Sequence, residues 1–389
     1  MKILIVNNNM KLGGVQKSLC NLLWELERQG EHQVSLLLFS PEGEYMQQLP
    51  SGVKILPADG SLRYLGMSQG ECSGLDRLKR GFLAAVCRLF GRNAAMRSEL
   101  AGQKKLPEAY DCAIAFLHNP GPKTFAGGVQ EFVLERVDAK RKIAFIHGDY
   151  SQNGGKDPVN DGVLARFDGI AACSDGCAAI LKQALPKLSG NIHTVQNCHN
   201  IAQIRKLSEE DPVEYGSDRV HILCVARLSA TKAIDRAIRA VAAALEQQLP
   251  ATLHIVGGGP MERQLRALAE ELGISEQVNF YGPQENPYRY LKNADLFLLS
   301  SYHEAAPMVI DEAYILGIPT LTTATSSSKE MVLDRGCGWV CDNDQKALEQ
   351  ALIDLLQAEE TLQKMKEKLH SRQVDNDRAL AQFAAVLQQ

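Results

Sequence analysis

The chain has 389 residues, 45% hydrophobic and 23% charged, enough for two domains of ~150 residues with a core in each. A formal net charge of −4 argues against a general nucleic-acid-binding surface, so any role for basic residues must be local. No stretch approaches ~20 uninterrupted apolar residues, and the opening "MKILIVNNNM" is too short an apolar run for a signal peptide, so neither a membrane span nor a leader is expected.

The N-terminal half alternates apolar runs with helical periodicity. "KILIVN" (2–7) reads as a buried parallel strand. "GGVQKSLCNLLWELERQG" opens on Gly13 and Gly14, repeats Leu19, Leu22, Leu23 and Leu26 at helical spacing, and stops at Gly30. "QVSLLLFS" (33–40) completes a βαβ unit, which implies a right-handed crossover and a parallel sheet. Segment 74–106 breaks this rhythm with eight Lys/Arg against two Asp/Glu, and places Phe82, Val86, Leu89 and Phe90 on one helical face. Two readings stay open for it. One is a basic amphipathic helix touching an anionic membrane surface, and the other a helix packed on its own domain with a solvated basic face. Strands are expected at 111–118, 142–149 and 169–175.

From about residue 200 the alternation restarts. Strands are expected at 220–228 and 251–259, in "VNFYG", in "DLFLLSS" and in "IPTLTTA", with helices between them. Two successive βα runs predict two doubly wound Rossmann-like domains, with ligands bound beyond the carboxyl ends of the strands, in a cleft between the domains.

Ten cysteines are scattered from Cys20 to Cys341. The pairs Cys173/Cys177 and Cys337/Cys341 lack the tight spacing and neighbouring histidines of a zinc site, so reduced, buried thiols and no metal are expected. Asp342-Asn343-Asp344 has the look of a metal motif but follows "GWV" near a domain end and reads as a turn.

The strand ends of the second half carry the chemistry. Arg227, at the end of "CVARL", and Lys232 offer a planar donor fork and a compact charge, which together suit a diphosphate. Cations at a helix start oppose its dipole, so the pair needs another reason to be there. Gly257, Gly258 and Gly259 close the next strand; a tight turn and a close approach to a ligand are both compatible with them, and the spacing is not a dinucleotide fingerprint. In "SSYHEAAPMVIDEA", Glu304 lies in a loop at a strand end and Glu312 about one turn into the next helix. Met308 and Val309 begin that helix after Pro307, and their amides are free for a phosphate oxygen. Two carboxylates so placed can accept hydrogen bonds from different hydroxyls of one sugar nucleotide; for Glu312 alone, a favourable helix-dipole charge is an equal account.

Arg227 with Lys232, "IVGGGPMERQLRALAEELGISEQVNFYG", "NPYRYLKNADLFLLSS" and Glu304–seven residues–Glu312 together resemble the retaining glycosyltransferases of family 4, with the GT-B fold. The resemblance is densest over 220–340 and extends more weakly through "NNNMKLGGVQKSL", "IAFIHGD", "CSDGCAAIL" and "TVQNCHNI". It implies a hexosyltransferase with two Rossmann-like domains facing a central cleft: an acceptor-side domain over 1–200, a donor domain over 201–370, and a helix over 371–389 that returns to the first. Arg227 and Lys232 would hold the diphosphate. Glu304 would contact the transferred sugar and Glu312 the ribose. Gly258, Met308 and Val309 would line the donor site, and Pro283 with Gln284 would lie beside the base. Gly13 and Gly14 would approach the phosphate and acceptor, and His147 the reacting centre. The donor implied is a UDP-sugar and the acceptor a glycan or polyprenyl-linked glycan of a cell-surface polysaccharide. No cofactor or metal is implied, and the enzyme would be cytoplasmic, at the inner membrane face.

Two departures bear on sugar identity. Ala305 and Ala306 follow the first glutamate where the family often has glycine and a large residue, and Asn200 stands where aspartate is common. Other functions would leave different marks. A sugar-nucleotide epimerase would share the architecture and need no acceptor. A non-catalytic sugar-nucleotide-binding partner subunit would lose Glu304, Arg227 or Lys232. A nicotinamide-dependent dehydrogenase would need a glycine fingerprint that the chain lacks.

Overall fold

The computed structural model describes residues 1–388 apart from 59, 68, 122, 153 and 154. The chain divides into two compact units, Met1–His199 with Asn376–Gln389, and Asn200–Asp375.

The first unit is built on seven parallel strands: β1 (Lys2–Asn7), β2 (Gln33–Leu38), β3 (Lys54–Pro57), β4 (Ala109–Ala115), β5 (Asp138–Ile146), β6 (Gly169–Ala172) and β7 (Ile192–Thr194). Their order is β3-β2-β1-β4-β5-β6-β7, so the winding reverses between β1 and β4. Helices cover both faces of a parallel sheet, which is why β1 and β2 read as continuous apolar runs. The helix Gly14–Gln29 buries Leu19, Leu22, Leu23 and Leu26, and Gly30, in the left-handed region at φ 68°, ends it by returning its amide to the Leu26 carbonyl at 3.2 Å.

The C-terminal helix Asp377–Gln388 belongs to this same unit. It buries Leu380, Phe383, Val386 and Leu387 in the core that also holds Ile143 and Phe145, and the Phe383 ring lies 6.4 Å from that of Phe145. Where the helix leaves the rest of the chain, Asn376 binds both the amide and the carbonyl of His199 at 2.9 and 2.8 Å, and its side chain also donates to Glu25 Oε1 at 2.9 Å.

The second unit has six parallel strands: β8 (Val220–Val225), β9 (Ala251–Val256), β10 (Val278–Gly282), β11 (Leu296–Leu299), β12 (Thr320–Thr323) and β13 (Gly338–Cys341). The order β10-β9-β8-β11-β12-β13 is again doubly wound. The strands are shorter at their carboxyl ends than their apolar runs suggest. β8 stops at Val225 and β5 at Ile146, so Arg227 and His147 stand in loops beyond the strands. Three strands carry too little signal to be read from the residues: β3 is mostly exposed, β7 has three residues, and β13 is half-buried throughout.

All ten cysteines are free and nine are buried. Burial pushes the Cys112, Cys198 and Cys224 thiols up to about 12, so these are inert packing groups. No helix among the described residues is long and apolar enough to cross a membrane.

Replacing Phe383 by Ala removes a ring that is 2% exposed, at a cost of about 3–5 kcal/mol. In hydrogen exchange read by peptide, protection is expected to fall over 1–199 and to be kept over 200–375.

Candidate functional site

In the second sheet β9 and β10 lie to one side of β8, and β12 and β13 to the far side of β11. The loops after β8 and β11 therefore leave in opposite directions and open a crevice beyond their carboxyl ends, where ligands of doubly wound sheets bind. Both loops carry candidate residues.

After β8 comes Arg227, exposed and without a side-chain hydrogen bond or ion pair among the described residues. A short turn, Ala230–Lys232, and then Ala233 lead into the helix Ile234–Glu246. Ala233 sits at φ 48°, in the left-handed region where a side chain costs about 1–2 kcal/mol. The Ser300 hydroxyl holds it there by donating to the Ala233 carbonyl at 2.8 Å. The result fixes the stem of Lys232.

The two loops meet in an ion pair. Lys232 Nζ donates to Glu304 Oε1 at 2.6 Å, and the Ser301 hydroxyl donates to the same oxygen at 2.6 Å. The Glu304 side chain is 8% exposed and that of Lys232 29%, so the carboxylate is walled in while the ammonium keeps a path to solvent. A backbone contact joins the loops further, the Tyr302 amide donating to the Thr231 carbonyl at 2.9 Å, and from the loop after β12 the Ser326 hydroxyl donates to the Glu304 carbonyl at 2.6 Å.

Beneath them lies a residue that the sequence did not single out. Arg236, 3% exposed, has no carboxylate partner among the described residues. Its Nη1 donates to Asn343 Oδ1 at 2.7 Å, its guanidinium lies 4.9 Å from the Tyr302 ring centre, and Nε and Nη2 have no partner. Asn343 in turn donates to the carbonyls of Tyr302 and Ala324, each at 2.9 Å. The "DND" triplet thus has structural work: Asn343 ties the Glu304 loop down, and Asp344 caps the helix Gln345–Gln357 through the Ala347 amide at 3.0 Å. Nothing local marks the pairing of Arg236 with Asn343, since they lie 107 residues apart. Among the described residues no three of His, Cys, Asp and Glu are grouped to hold a metal ion.

Past Glu304 the helix Met308–Ile315 starts directly after Pro307. Met308 and Val309 supply its first amides, which have no carbonyl a turn back to bond and which favour negative charge. Glu312 is the fifth residue of the helix and 2% exposed, and the Tyr288 hydroxyl donates to its Oε1 at 3.5 Å.

The glycines differ in kind. Gly257 has φ 138°, and a Cβ there would come within 1.9 Å of the Ala226 carbonyl oxygen; at Gly259 it would meet the Leu228 oxygen at 2.4 Å. A Cβ at Gly258 would strike Pro283 at 2.7 Å, so these two candidate residues pack on each other. This turn needs glycine for its own backbone, whatever it binds. In the first unit, Gly13 is extended at φ 174°, and a Cβ on Gly14 would meet nothing within 4 Å. Neither the conformation nor the packing of the protein requires glycine at 14.

His147 follows the last residue of β5 in the first unit. Its ring lies 4.5 Å from Phe116 and 5.7 Å from Phe145, centre to centre, and its buried Nε2 has no partner among the described residues. Burial, with His118 adding to it, pushes its pKa down to about 3, so the imidazole is neutral at neutral pH. Of the candidate residues, then, Lys232 and Glu304 are in contact, Arg227, Met308, Val309 and Glu312 stand in or after the same two loops, and Gly13, Gly14 and His147 belong to the other unit.

Residues 208–372 match the family described as glycosyl transferases group 1. The chain is 38% identical over 109 residues to the lipopolysaccharide glucosyltransferase WaaG of Escherichia coli K12, covering 28% of this chain and 29% of that protein. It is 32% identical over 149 residues to the amylovoran biosynthesis glycosyltransferase AmsK of Erwinia amylovora, covering 36% of this chain and 37% of that one. These matches span well under two thirds of either relative. Among solved structures, that of Anabaena Alr3699/HepE in complex with UDP aligns over 100% of this chain and 99% of its own, with a TM-score of 0.65 at 19% identity. The chain has the GT-B fold, and the stretch that matches the model of glycosyl transferases group 1, residues 208–372, lies within its second unit.

Proposed function

We propose that the protein transfers a hexosyl group, with retention of anomeric configuration, from a UDP-sugar to a glycan or polyprenyl-linked glycan in the cytoplasm, during synthesis of a cell-surface polysaccharide. The observation that carries this reading is the Lys232–Glu304 pair at the strand-order reversal, beside an unpaired Arg227 and a helix N-terminus. Two cations and a set of oriented amides next to two carboxylates match a ligand with a diphosphate at one part and hydroxyls at others. The donor class draws support from the Anabaena structure, which holds UDP, and the acceptor class from relatives named for lipopolysaccharide and amylovoran synthesis.

On this reading Lys232 exchanges Glu304 for the diphosphate when the donor binds. The freed Glu304 then accepts from the sugar, and Glu312 from the ribose. Gly258 and Pro283 form the wall beside the base. As the glycosidic bond breaks, negative charge grows on the β-phosphate, and Arg227, Lys232 and the amides of Met308 and Val309 stabilise it without moving. The departing phosphate assists the acceptor hydroxyl on the same face. Charge neutralisation comes from side chains and amides, so donor binding needs no divalent ion. His147, neutral and with a free Nε2, serves turnover as a hydrogen-bonding group rather than as a cation, and Gly13 and Gly14 keep the first helix start clear for phosphate and acceptor.

Thermal melting with UDP, GDP, ADP and their sugars tests the donor. UDP at about 100 times its Kd is expected to add about 2.7 kcal/mol, a rise of roughly 5–10 °C, retained in EDTA and cut by at least about tenfold in affinity in Arg227→Ala. Absence of a shift with every nucleotide would overturn the reading. Asn343→Ala removes the tie between Arg236 and the Glu304 loop and is expected to cost about 1–2 kcal/mol in urea denaturation, against under about 0.5 for Asp342→Ala. His147→Ala is expected to lower kcat by about 100-fold or more while leaving donor affinity within a few-fold; unchanged kcat removes it from the mechanism.

A further inference from the structure

The segment 74–106 folds as two helices, Gly74–Phe90 and Arg92–Ala101, broken at Gly91, whose φ of 82° is open to glycine. The second is anchored in the first unit. Arg92, 1% exposed, donates to Glu131 Oε1 at 2.5 Å and to the side chain of Asn160. The first is held along one side only. Leu83 and Cys87 are buried, Asp76 accepts from the Tyr64 hydroxyl and from Arg63 at 2.7 Å each, and Arg80 donates to the Met67 carbonyl at 2.8 Å while lying over Phe125.

The opposite side is apolar and uncovered. Leu75, Leu78, Phe82, Leu89 and Phe90 are each 69–76% exposed, and they make up five of the eleven exposed large apolar side chains among the described residues. Spaced at three, four, seven and one residues, they form a single stripe along the helix. Six cations of the segment, Arg77, Lys79, Arg88, Arg97, Lys104 and Lys105, are exposed and make no hydrogen bond or ion pair among the described residues. The acidic groups of the segment do not cancel them. Asp76 is spent on Arg63 and Tyr64, and Glu99 is half-buried.

We propose that this helix docks the protein on an anionic phospholipid bilayer, lying in the interface with the leucines and phenylalanines among the acyl chains and the free cations among the headgroups. Two observations select this occupant. An apolar stripe alone would suit a second copy of the chain, but the segment carries an excess of six positive charges and would repel its own image. Its 17 residues are also too few and too charged to span, which leaves a helix lying on the surface. The surface is independent of the donor chemistry, and vesicle binding is read without any sugar nucleotide.

Co-sedimentation of the full chain with phosphatidylcholine vesicles, with and without 30 mol % phosphatidylglycerol, tests it. Binding is expected to be at least about tenfold tighter to the anionic vesicles and to weaken steeply as salt rises. Leu78→Ser with Phe82→Ser should abolish it while the melting temperature stays unchanged, because both side chains are already in water in the free protein. Arg77→Glu and Arg88→Glu should each weaken it by roughly fivefold or more. Equal sedimentation with both vesicles, or binding untouched by these variants, would overturn the proposal. So would a concentration-dependent dimer in sedimentation velocity that Phe82→Ser dissolves, if the wild-type chain leaves the vesicles unbound.

Discussion

The second unit turns on one contact, the Lys232–Glu304 ion pair. It joins the two loops that diverge from the middle of the sheet; bonds from Ser300 and Tyr302 repeat the join, while Ser301 and Ser326 hold Glu304 itself. Such a pair is a poor stabiliser, because much of its Coulomb energy is consumed in desolvating the carboxylate. It is a good placeholder. The ammonium, still reachable from solvent, can be offered a better anion without rearranging the backbone that holds it.

Arg236 deepens this point. A buried cation without a carboxylate costs free energy, and a hydrophobic residue of the same volume would pack there at no electrostatic cost. The protein keeps it under the Glu304 loop, where one side chain fixes the Tyr302 ring and, through Asn343, two carbonyls of neighbouring loops. The loop is therefore rigid for polar reasons and short of apolar support. That suits a site in which a carboxylate must change partners while its main chain stays still.

How much of this could be read from the residues follows from range. The βα alternation was legible because strands covered on both faces leave unbroken apolar runs, as in β1, β8 and β9. Edge strands β3 and β13 are only partly covered and leave no such run. Glu304, Met308 and Glu312 lie in one stretch, so their common placement is a local matter of strand, loop and helix. The Arg236–Asn343 tie depends on the whole sheet having formed between them, and Asn343 looked like part of a turn. The helix Gly74–Phe90 shows the intermediate case. Its charge and part of its apolar face, Phe82, Leu89 and Phe90, were visible, but which side the rest of the unit would cover was not.

The C-terminal helix has a consequence for how the molecule is made. Ala379, Leu380, Phe383, Val386 and Leu387 complete a core whose other buried members lie between Ile3 and Cys198. A ribosome delivers the entire second unit before it delivers these residues, so the domain begun first is finished last. Until then its apolar surface next to Phe145 stays open to water, and the second unit, contiguous over Asn200–Asp375, can fold in the interval. Vectorial synthesis thus leaves the nascent first unit exposed for longest.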